Sequence, residues 1–256
     1  MSWDTPEVKK WKNLAQEVIR NYYQAFQGHQ WHEFELPKES PLLRAKICFA
    51  LFGPPTNADK NSENNIEDAY DKDQKKRADE FITQIKSLSK SKIVKVSFLT
   101  IFCKDDKNEY PLPLISVYAG SSVGKSNHFY VDCQCRTYKN WTDWRENNNL
   151  PSMKYAYPKN GYMSCKAGDY AFQRDKDPLI DFDDSPQSGN LAKTGKVVDT
   201  VTGISSLVCG GIGIASMFTP VGPAVLLGTG NYLKIALTLG HERLRDSRNI
   251  LLSAPC

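Results

Sequence analysis

The chain has 256 residues, and its 33 lysines and arginines against 29 aspartates and glutamates give a formal net charge of +4. This length allows one large domain or two small ones. The basic residues are spread along the chain, which argues against a nucleic-acid partner. No apolar signal core follows the amino terminus, so we expect a cytoplasmic protein with seven free thiols, Cys48, Cys103, Cys133, Cys135, Cys165, Cys209 and Cys256.

Three helices are predicted in the amino-terminal third of the chain. The first, residues 6–26, places apolar side chains every three to four positions and ends at Gly28. The second, residues 40–52, ends at the run Gly53-Pro54-Pro55. The third, residues 67–89, is apolar only in its second half, so its first half is predicted to face solvent.

From residue 93 onward, short segments rich in β-branched and aromatic residues favour strands. Pro113 indicates an edge or a bulge in the second strand. One or two helical turns are expected over 141–146, and residues 166–190 are polar and rich in turns, as in a linker. The predicted strands are residues 93–102, 112–118, 128–132, 136–138 and 153–157.

A long apolar block follows, in which residues 201–240 carry one formal charge, at Lys234. The run from Thr219 to Pro223 divides it into two arms, so we expect a helical hairpin buried either against protein or in lipid. The residues expected to shape this hairpin are Gly210, Gly211, Gly213, Pro220, Gly222, Pro223 and Gly228.

Together these segments predict an α+β protein. N-terminal helices cover a small, mainly antiparallel sheet, and a C-terminal Gly-rich apolar helical hairpin follows. The expected regions are N-terminal helices over 1–55, the sheet region over 56–165, a polar linker over 166–195, and the hairpin with its charged end over 196–256.

Several short motifs occur in a fixed order along the chain. They are Leu51-Phe52-Gly53-Pro54-Pro55, Pro113-Leu114, Phe129-Tyr130-Val131-Asp132 with Arg136 and Tyr138, Trp141-x-Asp143, Asn149-Leu150-Pro151, Pro158-Lys159-x-Gly161 and Thr219-Pro220-Val221-Gly222-Pro223. In this order they resemble the DUF4781 family of animal proteins, a domain of unknown function, over roughly residues 42–250. The resemblance implies no catalytic activity.

The chain departs from this family at two places. Family members carry glycine in an Asp-x-x-Gly-Arg turn, where this chain has Cys135 before Arg136. They also continue well past the apolar block, whereas this chain stops at Cys256, as a shortened member would.

Residues 119–126 match a relaxed phosphate-loop pattern that ends in Gly124, Lys125 and Ser126. Such a loop needs a strand before it and a helix after it, because the start of the helix aims N–H groups at the phosphates. A strand pattern follows here instead. We therefore predict a lysine-bearing loop between two antiparallel strands, with a nucleotide site as the alternative.

Candidate metal ligands are His128, Cys133 and Cys135, with Cys165 as a fourth. Their spacing is not a usual zinc pattern, although Cys-x-Cys on a strand would point both sulfurs to the same face. The favoured interpretation is two thiols at a hairpin, with no metal and no cofactor. Between the first two helices, His29 and His32 are interpreted as part of a packed aromatic linker.

A second candidate group comprises Trp141, Asp143 and Trp144. The tryptophans are expected to anchor the core, and Asp143 to cap a helix or pair with Arg136. If this cluster is exposed, it is a surface for a partner.

The sequence thus predicts a non-enzymatic interaction or scaffold module with an unidentified protein partner. Two alternatives stay open. One is a membrane-associating protein that inserts the 201–240 hairpin. The other is an enzyme that uses the 119–126 loop or a cysteine nucleophile close to His128 and to Asp132 or Asp143.

Overall fold

The computed structural model describes residues 2–25, 27–52, 70–106, 108–122 and 125–189. They form helices and an antiparallel sheet, so the predicted α+β class is confirmed. In chain order the elements are α1 (Pro6–Ala25), β1 (His32–Glu35), α2 (Ser40–Phe52), α3 (Lys72–Ser89), β2 (Ile93–Lys104), β3 (Glu109–Ser122), β4 (Lys125–Asp132), β5 (Thr137–Tyr138), α4 (Trp141–Asn147), β6 (Lys154–Pro158), β7 (Ile180–Asp184) and a 3₁₀ turn (Pro186–Gly189).

The apolar hairpin expected over residues 201–240 lies outside the described residues and stays a prediction. The same holds for Gly124 and for the hairpin residues Gly210, Gly211, Gly213, Pro220, Gly222, Pro223 and Gly228. Within the described part of the chain, no helix has both the length and the apolar character needed to cross a bilayer.

The sheet is antiparallel at every described pairing, and its strand order is β5-β4-β3-β2-β6-β7. Strands β1 and β6 both pair with β2, β1 over Ile93–Val96 and β6 over Phe102–Lys104. Between these two stretches the hydroxyl of Tyr22, on α1, donates to the carbonyl oxygen of Phe98 at 2.8 Å. A side chain from α1 therefore provides a hydrogen bond to a stretch of β2 with which neither β1 nor β6 pairs.

One face of the sheet, here called the α2–α3 face, carries β-branched residues. Because side chains alternate along a strand, these residues point to the same side and pack against α2 and α3. Leu43, Ile47, Phe81 and Ile85 are the largest fully buried helical side chains on this side. The sheet residues that they cover are Val94, Val96, Ile115, Val117 and Val131.

The opposite face, here called the α1–α4 face, is richer in aromatic residues. Helix α1 places Trp11, Val18 and Ile19 over it, and α4 adds Trp144. The amphipathic repeat predicted for the first helix is confirmed, since these α1 residues are at most 2% exposed. The sheet residues on this side include Leu99, Ile101, Leu112, Leu114, Tyr130, Tyr155 and Tyr157.

The predicted stop at Gly28 is also confirmed. The N–H of Gly28 donates to Tyr23 O at 2.8 Å, and that of Gln27 donates to Gln24 O at 3.2 Å. This is a Schellman arrangement, in which Gln27 takes the left-handed conformation with φ 53°. It turns the chain from α1 toward His29.

Pro113 lies where the sequence predicts an edge. It pairs with Thr100 of β2, whereas the pairing of β3 with β4 begins only at Leu114. Among the described strands, only β2 pairs with β3 at Pro113. The side of β3 that faces β4 is unpaired there, so a residue without a backbone N–H is tolerated. Strand β7 was not expected, because it lies in the segment for which the sequence predicts a polar linker.

Candidate interaction surface

Residues 119–122 are the end of β3 and residues 125–126 are the start of β4. Ser121 pairs with Ser126 and Ser122 with Lys125, and strand β4 continues directly from Lys125. The two strands are antiparallel, as predicted, but they extend further than predicted, so the described residues of this segment belong to strands and not to a loop. The described residues of this segment do not form the strand-to-helix junction on which a phosphate loop depends.

The hairpin contains a bulge with a structural consequence. The pairing register shifts between Tyr118 and Ser121, and Gly120 in this stretch has φ +84°. A left-handed residue of this kind favours glycine, and one extra residue moves the following side chains to the other face. As a result, Tyr118 lies opposite His128.

The turn from β4 to β5 is organised by Asp132, which is 6% exposed. One carboxylate oxygen accepts the N–H groups of Gln134 at 2.9 Å and Arg136 at 3.0 Å. The other accepts Arg136 Nε at 2.8 Å and the Tyr138 hydroxyl at 2.9 Å. Asp132 therefore has a structural role here, because all four contacts hold the turn itself.

Cys133 and Cys135 do not share a face. Cys133 packs against the α1–α4 core and Cys135 against the α2–α3 core. The expectation that both sulfurs point the same way is wrong, because the two residues lie in a turn and Cys135 has φ 63°. Within the described residues, no three His, Cys, Asp or Glu side chains are placed to hold a metal ion.

The thiols of this turn are also poor nucleophiles. Burial raises the pKa of Cys133 to about 12 and raises the pKa of Cys135 as well. A thiol attacks as the thiolate, so both groups are mostly unreactive near neutral pH. The surroundings of these cysteines therefore oppose the activation that a catalytic cysteine needs.

Trp141 and Trp144 stack with ring centroids 4.9 Å apart, and Trp144 is only 2% exposed. Trp141 Nε1 donates to Lys159 O at 3.1 Å. In the turn after β6, Gly161 lies against the Trp141 ring, and an added Cβ there would be 2.7 Å from that ring. The interpretation of these tryptophans as core anchors is confirmed, and Trp141 remains partly exposed.

Asp143 lies in the first turn of α4, whose N-cap is Asn140. It accepts the N–H of Lys139 and the side-chain amide of Asn147, both at 2.8 Å. The Lys139 N–H and the Asn147 amide hold the pKa of Asp143 below its usual value. The side-chain cap of α4 is therefore Asn140, and Arg136 pairs with Asp132 rather than with Asp143.

A connected set of aromatic and imidazole rings lies on the α1–α4 face, beside the β3–β4 hairpin. We call these six residues, drawn from separate parts of the chain, the ring patch: His29, Trp31, Tyr118, His128, Tyr162 and Tyr170. The centroid distances are 4.9 Å for His29–Trp31, 5.3 Å for Trp31–His128, 5.3 Å for Tyr118–His128, 5.5 Å for His29–Tyr170 and 4.4 Å for Tyr162–Tyr170.

His29 fixes the inner side of the ring patch and is 7% exposed. The N–H of Met163 donates to its Nδ1 at 3.4 Å, and the Ser97 hydroxyl lies at the same distance. Since a backbone N–H can only donate, Nδ1 is an acceptor and the ring hydrogen is on Nε2. That Nε2 is buried and has no hydrogen-bond partner among the described residues.

The imidazoles of the ring patch are uncharged near neutral pH. Burial, with His128 nearby, lowers the pKa of His29 to about 4. Burial also lowers the pKa of His128. His29 packs on Trp31 and His32 packs on Phe98, as the aromatic interpretation predicts, although His32 lies in strand β1 and not in a linker.

Ser97 and His29 resemble a nucleophile and its base. However, Ser97 is 1% exposed, and no described carboxylate binds His29 Nε2. A substrate would have to displace the packing of the α1–α4 face to reach the hydroxyl. The arrangement therefore serves to tether the chain at Met163 to β2 rather than to attack a substrate.

The outer side of the ring patch faces solvent. Tyr170 is 44% exposed, and Trp31, Tyr118, His128 and Tyr162 are half-buried. Sequence reasoning missed these five ring-bearing residues as a group. The pairing of Tyr118 with His128 depends on the bulge, and the approach of Tyr162 and Tyr170 depends on long-range folding.

Another cleft lies beside Asp132 and Cys133, where β3 extends past the end of β4. It offers about 10 Å³ to the centre of a water-sized sphere, which is room for about one water molecule. Its lining is almost entirely apolar. This cleft is too small for an organic ligand.

An antiparallel sheet covered by helices on both faces defines a two-faced α+β domain. The family model described as Domain of unknown function (DUF4781) matches residues 114–236, from the middle of β3 onward. The resemblance to this family expected from the order of motifs is therefore confirmed. No curated protein and no solved structure matches the chain.

Proposed function

We propose that the protein is a non-enzymatic interaction module and that the ring patch is its contact surface for a protein partner. One observation carries the proposal. Six rings from separate parts of the chain form a continuous array, and its outer member, Tyr170, is 44% exposed. Exposed tyrosine and tryptophan side chains of this kind are enriched among the residues that dominate binding energy.

The ring patch is suited to binding because its rings are held in place before a partner arrives. Tyr118 and His128 lie on adjacent strands, and His29 is tethered through Met163 and Ser97. Aromatic side chains have few rotatable bonds, so little conformational entropy is lost when they are covered. A partner therefore meets a preformed surface.

The test compares partner recovery by the full chain and by substituted chains after cross-linking in cells. Tyr170→Ala and Trp31→Ala remove the outer and central rings, whereas Ile93→Ala removes an exposed apolar side chain elsewhere, one that is 56% exposed. We expect a reproducible partner with the unsubstituted chain and with Ile93→Ala. Recovery should fall by about tenfold or more with either ring variant, which is the scale of an interface hot spot.

Circular dichroism and urea unfolding of each variant serve as controls for folding. Equal recovery by all folded variants would contradict the proposal. So would the absence of any protein enriched over an unrelated tagged control.

A further inference from the structure

We infer that Lys46 is a covalent modification site, a reactive amine that accepts an acyl group from a thioester. The site lies at the edge of the α2–α3 face, on the opposite side of the sheet from the ring patch. It consists of Lys46 on α2, His32 on β1 and Phe98 on β2. All three residues are half-buried, so the amine is sheltered by protein but remains within reach of a reagent in solution.

The amine is held by a group that carries no negative charge. Lys46 Nζ lies 3.5 Å from His32 Nδ1, and a lysine ammonium can only donate, so Nδ1 is the acceptor. Burial, with Lys46 nearby, lowers the pKa of His32 to about 3, so this imidazole is neutral at physiological pH. The ring centroids of His32 and Phe98 are 6.1 Å apart. These surroundings stabilise an ammonium group less well than water does.

The elements around Lys46 bring no carboxylate to it. Among the described residues, none forms an ion pair with its ammonium group. On β1, Glu33 and Glu35 alternate with the histidine and therefore project from the other side of the strand. On α3, Asp79 binds Arg44 at 2.7 Å. The proton on Lys46 is therefore not held by an opposite charge.

An ammonium group placed in this way loses its proton more easily than an exposed one. Burial lowers the pKa of Lys46 to about 8. At pH 7.5 about a quarter of the amine is then unprotonated, against about 0.1% for an ordinary lysine. Desolvation of this kind is one of the ways in which lysine becomes a nucleophile.

The reaction requires only the amine and the thioester. The unprotonated Nζ attacks the thioester carbonyl carbon, the carbon–sulfur bond breaks, and the thiolate leaves with the proton that the nitrogen loses. The products are an amide on Lys46 and a free thiol. Because the amide is uncharged, acylation also removes the half-buried charge.

The test treats the folded full-length chain with acetyl-coenzyme A in the absence of any enzyme. Peptide mass spectrometry follows acetylation at Lys46 and at Lys86, which is exposed on α3 and serves as the internal control. At pH 7.5 we expect Lys46 to react about tenfold faster, because its lower basicity and partial burial offset part of the gain in unprotonated amine. The rate at Lys46 should level off above about pH 8. Unfolding in urea should make the two rates similar.

A substitution gives a second readout that does not depend on the reagent. Lys46→Met keeps a side chain of similar length without the charge, so it should raise the urea midpoint of unfolding at pH 7, whereas Lys46→Arg should not. Between pH 8 and 10.5 the unfolded chain binds more protons at Lys46 than the folded chain does. The advantage of Lys46→Met should therefore shrink as pH rises through this range.

Three results would overturn the inference. The first is equal acetylation of Lys46 and Lys86 in the folded chain, and the second is a pair of rates that rise in parallel up to pH 10. The third is a tenfold difference that persists in urea, since it would then arise from the local sequence and not from the fold. A lower urea midpoint for Lys46→Met at pH 7 would contradict the unfavourable placement of the charge.

Discussion

The two faces of the sheet differ in what they bury. On the α2–α3 face, the sheet contributes valine and isoleucine, which pack without polar atoms. On the α1–α4 face it contributes tyrosines together with buried Ser97 and Ser116. Aliphatic packing gives stability and leaves nothing for a ligand to recognise. The aromatic face keeps hydrogen-bonding and π-electron groups, and in the ring patch it leaves Tyr170 exposed.

The largest expected effect comes from the α2–α3 face. Phe81 is fully buried there, so Phe81→Ala should lower the free energy of unfolding by about 3–5 kcal/mol through lost burial and a cavity. Tyr170→Ala, on the other side, should change it by less than about 0.5 kcal/mol. Urea unfolding monitored by circular dichroism measures both. Similar losses for the two variants would show that the division between the faces is mistaken.

Asp132→Asn should have the next largest effect. The substitution keeps the size of the side chain but removes the charge that pairs with Arg136, and it places an amide donor among donors. We expect a loss of about 3–4 kcal/mol, as for a broken buried ion pair. Asp106→Asn is the matched control, because Asp106 is exposed. Equal losses in the free energy of unfolding for the two substitutions would show that Asp132 does not organise the turn.

The pH dependence of stability should reflect the burial of His29. The pKa of His29 is lowered by burial to about 4 in the folded chain, from an ordinary value of 6.5. Between these values the unfolded chain binds more protons, so the contribution is fully present above pH 6.5 and is lost as pH falls toward 4. The loss should be about 3 kcal/mol.

His29→Gln checks this prediction, since glutamine can still accept from Met163 without titrating. Unfolding curves measured at several pH values should show a smaller decline for the variant. Parallel declines in both proteins would mean that other groups carry the acid sensitivity.

The smallest expected effect is a gain in stability. Cys135 occupies a left-handed position with φ 63°, which costs a non-glycine residue about 1 kcal/mol. Cys135→Gly should therefore raise the free energy of unfolding by up to about 1 kcal/mol, whereas Cys135→Ala should not. Calorimetry of both variants provides the measurement. Stabilisation by alanine alone would point to the thiol rather than the backbone.

The helices and central strands were predictable because each has a local pattern. The repeat of α1 and the β-branched run of β2 depend only on neighbouring residues. Strand β7 was not predictable from its local pattern, because its sequence is acidic. Its aspartates are neutralised by distant partners: Asp184 binds Lys154 and Trp3, each at 2.7 Å, and Asp183 binds Arg145 at 3.1 Å.

The ring patch was unpredictable for a different reason. His29 was recognised as an aromatic linker residue, but its contacts with Tyr162 and Tyr170 come from a segment far along the chain. The bulge near Gly120 then sets which aromatic residues meet across β3 and β4. A residue pattern carries no information on such a one-residue slip.

The turn between β4 and β5 also provides a pair of built-in reporters. Cys133 and Cys135 are two positions apart, yet they pack against different core clusters, Cys133 on the α1–α4 face and Cys135 on the α2–α3 face. Burial raises the pKa of each thiol, so alkylating reagents should label them slowly until the protecting layer moves away. Labelling of Cys133 before Cys135 under mild denaturant would show that α1 and α4 detach first, and the reverse order would show that α2 and α3 do.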